Sequence, residues 1–356
     1  MSAYNAAQTL PLTLASIAAQ DMPYWRLIVV NDGSTDGTGA FLDQVAQADP
    51  RIQVVHLPKS GGGQGPGLNA AWAHWHGAIA RGDMLESPTV GFFDADDWLP
   101  QDSLSARLEA FSENPNAPVV YGAYQRTTLA SSFINGPFPP IDPNHTFLDE
   151  HAGEVSTENL LHSRCSYQLQ GMLIRTDALL TYAKALYGED AHTTLFPAWC
   201  LHAADYYFAA TLYATLQRPW VGIPKVVFYF CTHPNSVTQS RGQTPAQRQA
   251  IIATERQMNR AIFAIPAIAK TMRHAQTWIL GEKLAYRAFI QLLWNPHPLQ
   301  RLRAITDYAW AAKQDLALWP WLRHFGRIFA RALLPQAVNR ALSQWAQLAR
   351  ESKVTC

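Results

Sequence analysis

Apolar and polar positions change rhythm several times along the chain. Residues 26–31, RLIVVN, are a short β-branched run ended by NDGSTDG, which predicts a buried strand and a turn. Residues 35–48 take up helical spacing, with Ser34 or Thr35 as N-cap. IQVVHL (52–57) predicts a second strand, PKSGGGQGPG (58–67) a glycine-rich loop, LNAAWAHWHGAIA (68–80) a helix and TVGFF (89–93) a third strand. From about 127 to 165 the periodicity is lost among Gly and Pro, as in a loop region of an active site or an acceptor-binding insertion. Further strands are expected at 167–174 and 220–230, and helices at 176–187 and 202–217. After Pro245 the pattern is helical to the end, broken near Pro266, Asn295–Pro298 and Pro320.

The opening, MSAYNAAQTLPLTLASIAAQ, has the tail of a strand and then a helix with Leu10, Leu14 and Ile17 on one face. In an open α/β sheet the first strand usually lies centrally, and about four residues is short against the usual 5–6 or so. The expectation is a chain that begins upstream, with Met1 inside the first strand. Strand–helix alternation at this spacing predicts an α/β fold, a mostly parallel sheet with helices on both faces.

Composition fits a globular chain: 48% of the 356 residues are hydrophobic and 15% are charged. Cys165, Cys200, Cys231 and Cys356 lie far apart, with neither metal-ligand spacing nor a disulfide framework, so a reducing, cytoplasmic setting without a signal peptide is expected. No apolar run approaches the roughly 18 residues of a spanning helix. The net charge of +1 conceals an asymmetry: residues 1–244 hold 12 Lys+Arg against 22 Asp+Glu, residues 245–356 hold 16 against 5. Such a division marks either a basic surface that meets anions or two parts of one protein that attract each other.

Candidate chemistry concentrates where apolar runs stop. DADD (94–97) sits at the C-terminal end of an expected strand, the edge where open parallel sheets bind ligands. Hard oxygen ligands on a short loop suit Mg²⁺ or Mn²⁺; the same letters also suit a solvated turn in which Asp97 or Asp102 caps the next helix. Asp32, at the end of VVND, could meet a base or ribose or simply shape its turn. The glycine-rich loop lacks both the dinucleotide fingerprint and the Lys-Ser/Thr ending of a P-loop.

Taken in order, AYN (3–5), VVNDGSTD (29–36), the Gly-rich loop with LNAA (68–71) and FFDADDWLP (92–100) resemble the family 2 glycosyltransferases. HAADYYFAATL (202–212) and IPKVVFYFCTHPNSVT (223–238) extend the similarity over residues 1–240. The resemblance implies a GT-A fold, a Rossmann-like sheet flanked by helices, as a catalytic domain over 1–240, with a helical basic region at 241–356. It implies an inverting, metal-dependent transfer from a nucleotide-diphosphate sugar, a UDP-sugar, to a hydroxyl of a cell-surface polysaccharide or lipid-linked glycan. Tyr4 and Asp32 would line the base, Asp94 would meet the ribose and Asp97 would support the loop. Asp96 would hold the divalent metal, with His233 close by. Asp205 would be the general base, with Asp190 of GEDAHTT as the alternative.

The pattern also departs from the family. Gly67-Leu68-Asn69 stands where Ala-Arg-Asn is frequent, Ala204 replaces a Glu, and Cys231 replaces an Arg. Lys59 or Arg81 could supply the missing charge. A non-catalytic binding protein of the same fold stays open for that reason. A sugar-nucleotide nucleotidyltransferase would need its Gly loop after the first strand. Residues 318–334, LWPWLRHFGRIFARALL, set Trp321, Phe325, Ile328, Phe329 and Leu333 against Arg323, Arg327 and Arg331. Such a helix suits either an anionic membrane surface on the inner face of the cell membrane or packing on the catalytic domain. No nucleic-acid partner is expected.

Overall fold

A computed structural model describes residues 1–84, 86–128, 146–147, 155–156, 160–161, 168–201, 203–233 and 245–272. Strands β1 (Ser2–Ala3), β2 (Leu27–Asp32) and β3 (Ile52–Leu57) are parallel, in the order β1-β2-β3, joined through helices α1 (Leu10–Ala18) and α2 (Thr38–Ala48). α3 (Gln64–Ala80) leads to β4 (Thr89–Gly91), whose chain continues to a parallel bridge between Ser2 and Asp94. β1 therefore lies between β2 and the start of the acidic turn.

The second sheet is mixed. After α4 (Ser103–Glu113), β5 (Val119–Thr128) does not pair with β4. β7 (Met172–Arg175) lies between them, antiparallel to both, and β6 (Thr146–Phe147) pairs antiparallel with the far end of β5. α5 (Thr176–Tyr187) and α6 (Ala204–Leu216) lead to β8 (Val221–Thr232), parallel to β5 on its other side. The parallel expectation thus describes the first sheet and the β5–β8 pair. β7 takes the place between β4 and β5 and runs against both. α7 (Pro245–Ala264) and α8 (Pro266–Met272) follow, divided at the expected Pro266. Backbone contacts divide the chain into two units, Met1–Ser240 with Ala264–Ile268, and the remainder.

The core under the sheet joins Leu10, Leu14 and Ile17 of α1 to Val29, Leu42, Ile52, Phe93, Leu99, Val227 and Phe228. The apolar face read from α1 is this contact surface, and burial of each large side chain stabilises it by about 1.5–3 kcal/mol. Cys200 and Cys231 are free and buried.

Three local expectations change. α2 begins at Thr38 with Gly37 as N-cap, not at Ser34 or Thr35. Those two residues instead join the two turns: Asn5 N–H donates to Ser34 Oγ at 3.0 Å and Thr35 N–H donates to Asn5 Oδ1 at 2.8 Å. α3 starts at Gln64, so it takes in Gly65, Pro66 and Gly67 of the expected loop. Proline is tolerated in a first turn, and a Cβ on Gly67 would lie 2.1 Å from Ser2 Oγ, so the helix crosses β1 where only glycine fits. β5 has no counterpart in the sequence reading, and 169–171 is a 3₁₀ turn ahead of a shorter β7 than 167–174. Segment 318–334 lies outside the described residues, as does most of 127–165.

Candidate active site

The acidic turn is built from below by α1. Three hydroxyls on its buried face replace what an all-apolar helix would offer. Thr9 Oγ1 and Thr13 Oγ1 donate to the Ala95 carbonyl at 2.8 and 3.1 Å, and Ser16 Oγ accepts from Leu99 N–H at 3.1 Å. From the other side, Trp98 and Tyr229 of β8 exchange backbone hydrogen bonds at 3.3 and 2.8 Å, and the Trp98 ring is buried. The turn is therefore fixed at both ends, between β1 and β8.

On this frame the ligand atoms of Asp94, Asp96 and Asp97 all lie within 4.8 Å of one another. Asp97 does not cap α4, whose N-cap is Asp102. Asp97 Oδ1 accepts from Cys231 N–H at 2.8 Å and Oδ2 from Gln170 Nε2 at 3.1 Å. Asp94 accepts from Gln170 Nε2 on one oxygen and from Gln64 Nε2 on the other. Burial, and then the neighbouring Asp96, push Asp94 up to about 7, and Asp205 adds to the rise while the Gln64 bond opposes it. Burial, Asp96 and Asp94 together hold Asp97 well above the usual carboxylate range. Asp96 keeps 32% of its side chain exposed and meets His233 Nε2 at 3.1 Å. Three hard oxygen ligands beside one imidazole fit Mg²⁺ or Mn²⁺ chemically. A divalent cation would also relieve the like-charge repulsion that raises Asp94 and Asp97.

Asp32 is held differently. It is 2% exposed; Ser60 Oγ donates to its Oδ2 at 2.9 Å and Gly61 N–H to its Oδ1 at 2.9 Å. The glycine-rich loop thus closes onto the end of β2. Gly33 has φ +65° and lies so close to Lys59 that a Cβ would fall 2.5 Å from its carbonyl carbon. Tyr4, at the exit of β1, is 53% exposed.

Asp205 is in the first turn of α6, where the helix N-terminus favours a carboxylate. The preceding Ala203 has φ 50°. The charge of Asp205 adds to the rise at Asp94. Asp190 lies exposed on the 3₁₀ turn Gly188–His192. Asn69 holds the loop ahead of α6, accepting from Leu195 and Phe196 N–H and donating to the Phe196 carbonyl at 2.7 Å. Leu68, at the position where the resemblance made an Arg frequent, is a core side chain at 1% exposure. Arg81 cannot take the place of that Arg: it caps the C-terminus of α3, about 25 Å along the helix from Gln64, and pairs with Asp83 at 2.7 Å. Lys59 is exposed beside the glycine loop.

Sequence reasoning passed over Gln64, Gln170 and the Thr9–Thr13–Ser16 row. The row carried a signal, hydroxyls at i, i+4 and i+7 on the face of an otherwise apolar helix. The glutamines carried none.

Residues 1–144 match the model for glycosyl transferase family 2. The first two-fifths of the chain thus resemble a family 2 glycosyltransferase domain. Over 140 residues, 38% of the chain, it is 35% identical to the teichuronic acid biosynthesis glycosyltransferase TuaG of Bacillus subtilis, of which the match spans 50%. Over 109 residues, 30% of the chain, it is 42% identical to the polyprenol monophosphomannose synthase of Mycolicibacterium smegmatis, spanning 37% of that protein. The chain thus spans half or less of the length of these two relatives. Among solved structures, residues 1–349 of S. aureus TarS in complex with UDP-GlcNAc superpose with a TM-score of 0.58 at 18% identity, covering 96% of this chain and 90% of that one. That likeness establishes the fold alone, a GT-A arrangement of sheet and helices. No helix among the described residues is long and apolar enough to cross a membrane.

Proposed function

We propose that this protein is an inverting, metal-dependent glycosyltransferase. It moves a sugar from a UDP-sugar to a hydroxyl of a cell-wall polysaccharide or lipid-linked glycan. The observation that carries this reading is the arrangement at the end of β4. Three carboxylates lie within 4.8 Å of one another, and the charge of Asp205, on α6, adds to the rise at Asp94. The family match and TuaG, named for teichuronic acid biosynthesis, support the substrate class, and the TarS complex supports a UDP-linked donor.

In this reading Tyr4 and Asp32 line the base, Asp32 from its place under the glycine loop. Asp94 accepts from the ribose, and Asp97 holds the turn through Cys231. Asp96 and His233 would hold a divalent cation, whose chemistry would be to supply positive charge toward the diphosphate. Asp205 takes the proton from the acceptor hydroxyl as that oxygen attacks the anomeric carbon and the bond to the diphosphate breaks, inverting the centre. Lys59, exposed beside the glycine loop, is the candidate for the charge absent at Leu68. Residues 1–240 serve as the catalytic domain and 241–356 as a basic helical region. Within the latter, 318–334 would hold the enzyme at an anionic membrane on the cytoplasmic side.

The test is calorimetric titration of the full chain with UDP-, GDP- and dTDP-sugars, with and without Mn²⁺. Mn²⁺-dependent binding of a UDP-sugar is expected. Silence with every donor would sink the enzyme and favour the second reading, a non-catalytic binding protein, which the apolar burial of Leu68 already favours. Flotation with anionic liposomes, lost when 318–356 is deleted, is the expected result for the tail. Unchanged flotation would remove that role.

A further inference from the structure

Two side chains that no part of the proposed chemistry uses bear on the acidic turn from behind. Gln170 is 6% exposed, in the 3₁₀ turn Leu169–Gly171 ahead of β7. Its single Nε2 donates to Asp94 Oδ2 at 2.5 Å and to Asp97 Oδ2 at 3.1 Å. An amide NH₂ has two hydrogens, one for each carboxylate, at a fixed angle. Gln170 therefore sets the separation of Asp94 and Asp97, the two carboxylates that flank Asp96 in the turn.

The backbone of Gln170 is itself held. Arg107 of α4 is 2% exposed, and its guanidinium bonds neutral oxygens throughout. Nη1 donates to the carbonyls of Gln170 at 3.2 Å and Met172 at 3.4 Å, Nε to the Ser103 carbonyl at 3.0 Å and Nη2 to Ser103 Oγ at 2.8 Å. Ser103 Oγ in turn donates to the Val227 carbonyl of β8 at 2.5 Å. Burial lowers Arg107 to about 10, so the group stays charged at neutral pH. A charged fork aimed at neutral carbonyls is an expensive way to fill a core. Its planar donors do, however, fix a backbone more rigidly than an apolar side chain could.

Resting on the glycosyltransferase reading above, we propose that Gln170 and Arg107 are positioning residues for the donor site. Gln170 spaces Asp94 and Asp97 so that Asp96 presents its oxygens to the cation on the diphosphate, and Arg107 acts through the backbone of Gln170. The amide is neutral, so it orders the cluster without competing with the cation for the carboxylates as a Lys or Arg would.

The experiment uses the full chain, UDP and Mn²⁺, and reads the Mn²⁺ concentration that half-saturates UDP binding, with thermal melting in EDTA as the control for folding. Gln170→Leu is expected to raise that concentration about tenfold or more, the usual scale for a group behind a metal ligand. Gln170→Asn, which keeps the amide but shortens its reach, should shift it in the same direction and covers the case in which the Leu variant fails to fold. Arg107→Met should raise it less and add nothing in the Gln170→Leu background, and Arg107→Lys, which keeps the charge but loses the planar fork, should raise it as well. Variants that melt earlier but keep the wild-type Mn²⁺ dependence would overturn the proposal, because a purely structural role moves only the melting. Additive effects of Arg107→Met and Gln170→Leu would overturn the coupling between them. A wild-type chain that binds no nucleotide at any Mn²⁺ concentration overturns the glycosyltransferase reading and this inference together, an outcome distinct from failure of the variants alone.

Discussion

Two turns at the same sheet edge put aspartates to opposite uses. At the end of β2, Asp32 is buried and each of its oxygens accepts from the glycine loop, Oδ2 from Ser60 and Oδ1 from Gly61. One strand away, past the end of β4, three aspartates lie within 4.8 Å and two of them, Asp94 and Asp97, are raised by burial and then by Asp96. The first turn satisfies its charge with neutral donors and closes a loop. The second keeps like charges together, held there by hydroxyls of α1, the Trp98–Tyr229 pair and Gln170. How strongly a strand-end carboxylate resists its charge thus depends on whether its partners are neutral donors or other carboxylates.

The contrast can be broken most sharply at Asp96. Asp96→Asn is expected to abolish Mn²⁺-dependent UDP binding and to lower turnover by about 10³-fold, the several kcal/mol a metal supplies to a leaving group. Its melting temperature in EDTA should not fall, since one of three crowded charges is removed. A folded variant with wild-type Mn²⁺ dependence would end the assignment of Asp96. Asp205→Asn is expected to lower turnover by about 10²-fold or more while UDP binding holds. If Asp190→Asn does this and Asp205→Asn does not, the base is Asp190.

At the other turn the loss should be in stability. Asp32→Ala leaves Ser60 Oγ and Gly61 N–H without their acceptor and is expected to destabilise the fold by about 1–3 kcal/mol, read by urea unfolding. A variant as stable as the parent would show that the loop closes without it. The smallest effect is a pH dependence at Asp94. In EDTA the native carboxyl holds its proton up to about 7 while the unfolded one releases it near 3.8. The native state therefore binds more protons between those values, and stability falls as pH rises through that window. Asp94→Asn should melt near the parent at pH 4 and about 2 °C or more above it at pH 8. A gap that does not widen with pH would show that the charge is relieved in another way.

Much of the first sheet was legible because its signals are local. The runs RLIVVN and IQVVHL, the α1 face and the strand-ending turns NDGSTDG and DADD each declare themselves within a few residues. What escaped depends on partners far along the chain. Ser34 and Thr35 read as caps because hydroxyls before a helix usually are caps; their partner Asn5 lies about 30 residues away. The SGGGQGPG stretch read as loop because its glycines disfavour helix, yet close approach to Ser2 and Phe196 makes glycine necessary there.

By itself the sequence determined which residues could do chemistry. The order AYN, NDGSTD, DADD and HAAD, each placed where an apolar run stops, is a one-dimensional property that strand and helix periods preserve. Only the tertiary structure decided which of those aspartates are crowded and which are satisfied. It inserted β7 between β4 and β5, brought Gln170 from 76 residues away onto Asp94 and buried Leu68 where a cation was expected. The state of a carboxylate depends on the few ångströms around it, and folding fills that space from distant parts of the chain.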